Sequence, residues 1–148
     1  MPKTGHKVSA NMGHLLYNRS ILNFVPLYTN APLEAIMIRL TVLYNLPPDV
    51  DEAEFLRWRL GEHQAENASM PGVRTTDFGR IDNQWTPSGL QAGAPYRFMT
   101  VADFVDWESF ERAFLAEDAQ EQLRQDIHKI RDPLFLVSEI LVSTQADV

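Results

Sequence analysis

"MIRLTVLYNLPPDVDEAEFLRWRLGEHQAENASMPGVRTTDFGRI", residues 37–81, is the stretch on which the fold turns. Residues 37–45 are apolar and β-branched, the composition of a strand. Pro47 and Pro48 end it, because proline lacks the N–H that a strand ladder needs. Asp51 then stands as an N-cap, with Glu54 three residues on, and a helix is expected from about Asp51 to Asn67. Pro71-Gly72 reads as a turn, and 73–81 as a second strand.

The pattern continues outward. "DNQWTPSGLQAGAP" (82–95) is a long loop rich in Gly, Pro and Asn, residues 96–104 are a third strand, and 106–130 are helical with a break expected near Glu117-Asp118. Pro133 leads into a last strand over 134–142. The order β-α-β-β-α-β is that of an α+β, ferredoxin-like fold with one antiparallel sheet. Both helices would cover one sheet face. The other face would be left to apolar residues from sets such as Leu40, Val42, Tyr44 or their neighbours. An uncovered apolar face calls for a partner, and the simplest is a second copy related by a two-fold axis.

The chain has 148 residues, 45% of them hydrophobic, enough for one domain with one core. It has no cysteine, which excludes disulfides, thiolate nucleophiles and Cys-based zinc sites and is compatible with a cytoplasmic location. The net charge of −7 divides into +2 over residues 1–36 and −9 over 37–148. An acidic body repels phosphate backbones, so no nucleic-acid partner is expected. No run of 18 apolar residues exists, so no membrane span is expected either. Residues 1–36 show no sustained period, and Asn18, Arg19, Asn23 and Pro26 interrupt their apolar stretch, against a secretory signal. They read as a mobile N-terminal extension, with the barrel-forming domain over 37–148.

The helix ends with His63 eight residues before Pro71-Gly72, and the second helix carries "DWESFERAFLAEDAQEQLRQDI" followed by Asp132-Pro133 and a strand. In order and spacing, from about Met37 to Val142, this resembles the EthD-like group of dimeric α+β barrel proteins. Within that group it is similar to the REDY-like proteins linked to prodigiosin-type pigment biosynthesis, named for Arg, Glu, Asp and Tyr residues around a cleft. The matching set in chain order is Arg59, Glu62, Asp77 and Tyr96, with Arg57 competing for the first place. EthD-like proteins usually have Pro two residues after the histidine, where this chain has Ala65. The resemblance implies a homodimer with a cleft between helix and sheet in each subunit.

At 100° per residue Ala53, Leu56, Leu60 and His63 share one helix side, so Leu56 and Leu60 are expected in the core and His63 at the end of their stripe. Arg59 and Glu62 flank it. An imidazole both takes and gives protons near neutrality; a carboxylate beside it would fix its tautomer or raise its pKa, and the helix C-terminus would favour its protonated form. The alternative is a buried histidine with one backbone hydrogen bond. Asp77 would be a second base if it faced the cleft, and Tyr96 would donate its hydroxyl to a ligand, against plain solvent-facing and core roles. Trp85, near the start of the long loop, would cover a flat apolar ligand if the loop were a lid. Tyr44 is a further ligand-binding candidate.

His6, His14, His63 and His128 lack metal-ligand spacing; "EHQAE" is at most a weak metal candidate, and neither a Gly-x-Ser-x-Gly elbow nor GxGxxG after a strand occurs. The reading is a small-molecule-binding, cofactor-free and metal-free enzyme of secondary metabolism. Its catalytic candidates are His63, Glu62, Arg59 and Asp77, its ligand-binding candidates Tyr96, Trp85 and Tyr44. The chemistry would be cyclisation, condensation, dehydration or tautomerisation of an apolar aromatic, pyrrolic or polyketide-like metabolite. The alternatives are a non-catalytic carrier of a biosynthetic intermediate and a cofactor-free monooxygenase. Haem degraders of related barrels place a histidine on the second helix, where this chain has only His128, past the expected break.

Overall fold

The structure, a computed structural model, describes residues 36–146. The expectations for residues 1–35 lie outside the described residues. Strand β1 (Ile38–Asn45) alternates buried and half-buried positions along its whole length. Ile38, Leu40, Val42 and Tyr44 point to the helices, while Arg39, Thr41 and Leu43 point to the uncovered face. Of the two sets open in the sequence for the uncovered face, Leu40, Val42 and Tyr44 or their neighbours, it is the neighbours that occupy it. Side-chain alternation allows either phase, and packing against the helices selects one.

Helix α1 (Glu52–Leu60) begins at the expected cap: the Asp51 carboxylate accepts from the Glu54 N–H at 2.8 Å. The single helix expected as far as Asn67 is in fact two. Gly61, with φ −98° and ψ −103°, separates α1 from α2 (Glu62–Ser69), although the Ala65 N–H still reaches the Gly61 carbonyl. A kink at glycine is the usual physical cause of such a break. The expected apolar stripe is also corrected. Leu60 is exposed and Ala53 faces outward, whereas Phe55 and Arg59 are buried and Trp58 is half-buried. Aromatic bulk outcompetes leucine here, because Phe55 joins a cluster with Tyr44, Phe78 and Phe98.

Strand β2 (Val73–Arg80) enters through Gly72, whose φ of +79° suits glycine. A Cβ at Gly72 would lie 2.2 Å from Ser109 Oγ, so the turn also needs glycine for close approach. The loop expected over 82–95 contains a hairpin, β3 (Asn83–Thr86) and β4 (Gly89–Ala92), paired only with each other. Four-residue strands with mixed polarity carry too weak a period to be read from sequence. Strand β5 (Phe98–Phe104) starts two residues later than expected. Helix α3 (Trp107–Phe114) is capped by Asp106, and α4 (Glu117–Asp126) follows a break at residues 115–116, next to the expected one. A 3₁₀ turn (Ile127–Lys129) leads to strand β6 (Arg131–Glu139). That strand includes Pro133, which an edge strand with an irregular register tolerates.

The sheet order is β2–β5–β1–β6, all neighbours antiparallel, with the helices on one face. The core lies between that face and the helices: Ile38, Leu40, Val42, Phe55, Phe98 and Phe104 are its chief members. The register places Thr41, Leu43, Met99, Val101, Leu134 and Leu136 together on the other face. Among the described residues no helix is long and apolar enough to cross a membrane.

Candidate functional site

A cavity of about 400 Å³ opens between the helix-side face of the sheet and the helices. Its sheet floor is Leu40, Val42, Tyr44, Thr100 and Phe135; α1 and α2 contribute Trp58, Arg59, His63 and Glu66; α4 and the turn after it contribute Leu123, Asp126 and Ile130. That volume suits a small organic ligand, and the mostly apolar wall with a few convergent polar groups is the usual make-up of a ligand site.

His63 and Arg59 stand four residues apart and line the cavity together. The His63 side chain is 22% exposed. Its Nδ1 lies 3.3 Å from Glu66 Oε2. An ionised carboxylate only accepts, so Nδ1 carries the proton and Nε2 keeps a free lone pair. The Trp58 indole stacks on the imidazole with ring centroids 4.3 Å apart. Lys129 Nζ sits 4.2 Å from the Trp58 ring and pairs with Asp126 at 2.7 Å. Burial, and after it the charge on Arg59, hold His63 below the ordinary imidazole pKa, against the opposite pull of Glu66 and Asp126. Of the two effects the sequence offered for a neighbouring carboxylate, fixing the tautomer or raising the pKa, the second is outweighed by burial and Arg59.

Arg59 is 1% exposed. Its Nη1 donates to Gln64 Oε1 at 2.6 Å and its Nη2 to Thr100 Oγ1 at 3.1 Å. Gln64 is itself held by donating to the Thr76 carbonyl, and the Tyr44 hydroxyl lies 3.4 Å from the same Thr100 oxygen. The guanidinium carbon sits 4.4 Å from the centroid of Phe78. Burial lowers the Arg59 pKa from a value so high that the group stays charged. The choice between Arg57 and Arg59 is thus decided: Arg57 is exposed, Arg59 lines the cavity.

The cavity gathers three of the expected residues, His63, Arg59 and Tyr44, and leaves four outside. Glu62 is exposed. Asp77 pairs with Val101 on the uncovered sheet face, the side opposite the cavity. Tyr96 precedes β5 and does not line the cavity, and Trp85 is 72% exposed on the β3–β4 hairpin. One residue of each type, Arg, Glu, Asp and Tyr, does border the cavity, but the set is Arg59, Glu66, Asp126 and Tyr44. Glu66, one turn after His63, is readable as its i+3 neighbour. Asp126 and Thr100 have no local signal, because only the fold brings them near. Among the described residues no cluster of three or more His, Asp or Glu could hold a metal ion.

A four-stranded antiparallel sheet in this order, with helices on one face and a cavity between, defines the class: a ferredoxin-like protein of the dimeric α+β barrel kind. Residues 38–141 match the family model of the REDY-like protein HapK, and the chain belongs to that family. A comparison with curated proteins finds no match. Among solved structures the chain is similar to HapK from Hahella chejuensis, with 19% identity, 74% of this chain and 99% of that one covered, and a TM-score of 0.51. It is similar to an ethyl tert-butyl ether D (EthD) family protein from Bacillus halodurans, with 20% identity, 72% and 100% covered, and a TM-score of 0.54. A DABB family protein with a ferredoxin-like fold from Mesorhizobium loti gives 21% identity, 72% and 99% covered, and a TM-score of 0.55.

Proposed function

We propose that this protein is an acid/base enzyme acting on an apolar small molecule held in the cavity, with His63 as the base. One observation carries the reading: an imidazole held below its ordinary pKa by burial, its Nδ1 3.3 Å from Glu66, borders an apolar cavity next to a buried guanidinium. His63 takes a proton from carbon or oxygen, and the imidazolium so formed is steadied by Glu66. Arg59 faces the negative charge left on the substrate. Tyr44 and Thr100 form the hydroxyl-bearing floor beneath it. Such a site suits tautomerisation, dehydration, cyclisation or condensation, reactions that need no electron carrier. The protein would act in secondary metabolism, as the family resemblance implies, and as a homodimer joined through the uncovered sheet face, where Val101, Leu134 and Leu136 meet.

Proton exchange tests the reading directly. 2-Tetralone, an aromatic ketone with acidic C–H bonds, is incubated with the protein in deuterated buffer and followed by NMR. The protein is expected to accelerate exchange at the position between ring and carbonyl. His63→Gln is expected to lower that rate by about 100-fold, the low end of what a positioned base contributes. Undiminished exchange in His63→Gln would remove the mechanism.

A further inference from the structure

Arg59 is buried, charged, and without a counter-charge among the described residues. Arg39, Arg97, Arg112 and Arg124 each reach a carboxylate within 3 Å. Arg59 meets no carboxylate: its partners are Gln64 Oε1, Thr100 Oγ1, the Tyr44 hydroxyl and the face of Phe78. Burying a charge is costly unless it is paired. The two acids on the same cavity wall are engaged elsewhere: Glu66 with His63, Asp126 with Lys129 and Gln122. A guanidinium has five N–H groups; Gln64 and Thr100 take one each, and the Tyr44 hydroxyl lies beside the same group.

We propose that the ligand itself supplies the missing negative charge: an aromatic oxygen acid of the phenol or enol class, bound as its anion with the oxygen at Arg59. The inference rests on the reading of the cavity as a small-molecule site. Two features select the class. Carboxylic acids are already ionised at neutral pH and have no use for a base; a phenol or enol keeps its proton there, and the neighbouring neutral imidazole takes it. In that transfer the ligand O–H bond breaks, an N–H bond forms at His63 Nε2, and the electron pair stays on the oxygen facing the guanidinium. The aromatic side chains Phe55, Trp58, Phe114 and Phe135 on the walls favour a flat ring system.

The test uses 7-hydroxycoumarin, whose phenol and phenolate absorb differently, beside 7-methoxycoumarin, which cannot ionise. On the wild-type protein the bound hydroxycoumarin is expected to show phenolate absorption at a pH where the free probe is mostly phenol. A pKa lowered by about one unit corresponds to about tenfold tighter binding of the anion than of the phenol. Arg59→Met is expected to abolish the shift while still binding the methoxy compound, and Arg59→Lys to keep part of it. A bound probe that stays in its phenol form, or a methoxy compound held as tightly as the ionisable one, overturns the inference and leaves the cavity reading standing. If neither coumarin binds, the cavity reading falls and the inference with it. Should Arg59→Met fail to fold, the wild-type spectra and Arg59→Lys still decide.

Discussion

His63 shows how an environment sets the protonation of a residue. The same side chain in water would be partly charged at neutral pH. Here burial and Arg59 favour the neutral form. Activity that depends on this base is expected to persist through neutral pH and to fall only below the ordinary histidine range, as the imidazole gains its proton. A rate–pH profile of the exchange reaction checks this, and a fall centred above that range would contradict it. The same shift bears on stability. The unfolded chain binds the proton at a higher pH than the folded one, so stability is lost as pH falls from the unfolded pKa through the folded one. Asp103 behaves alike for a different reason: its hydrogen-bonded pair with Arg39 holds its carboxyl below the usual range, and Thr75 adds a third bond. Its contribution is present above the unfolded pKa and lost as pH falls through the folded one. Asp103→Asn is expected to cost about 1–2 kcal/mol, because Arg39 is partly solvated, and denaturant titration measures it.

At the scale of elements, two glycines and two caps set where the helices lie. Gly72 turns the chain from α2 into β2 with Ser109 of α3 pressed against it. Gly72→Ala combines a positive φ with a clash against Ser109, and a loss of about 1–3 kcal/mol is expected, seen as a lowered Tm. Asp51→Ala removes the α1 cap and is expected to cost about 1 kcal/mol. Gly61 has a subtler effect. The kink there starts a second short helix, and that helix carries His63 and Glu66 to the cavity and Gln64 to Arg59. Periodicity alone joins α1 and α2 into one helix and so projects a stripe through Leu60. The kink, and the preference of Phe55 for the aromatic cluster, turn that stripe toward Arg59 instead.

For the molecule as a whole, the uncovered sheet face is the feature that asks for an assembly. Leu134 and Leu136 stay 39% and 47% exposed on it. Burying apolar side chains of this size against a second sheet contributes about 1.5–3 kcal/mol each if complete. Sedimentation is expected to give a dimer, and Leu136→Asp, which puts a charge on that face, is expected to give a monomer. A wild-type monomer would refute the assembly. The β3–β4 hairpin stands apart from this sheet, with Trp85 and Leu90 opposite one another and both exposed.

By itself the sequence determined the strand–helix order, the sheet type, the Asp51 cap and the closeness of His63 to Arg59 along the chain, because each rests on periodicity, capping or spacing within a few residues. It also carried the family, since element order and spacing survive where side chains change. Only the tertiary structure decided which face of β1 meets the helices, because a strand alternates equally well in either phase. Only it set Asp77, Tyr96 and Trp85 outside the cavity and brought Thr100 and Asp126 to it, since these residues are joined through sheet register and helix docking rather than through neighbouring positions in the chain. The protonation of His63 obeyed the same rule: a carboxylate nearby was legible, but burial, which outweighs it, exists only once the chain has folded.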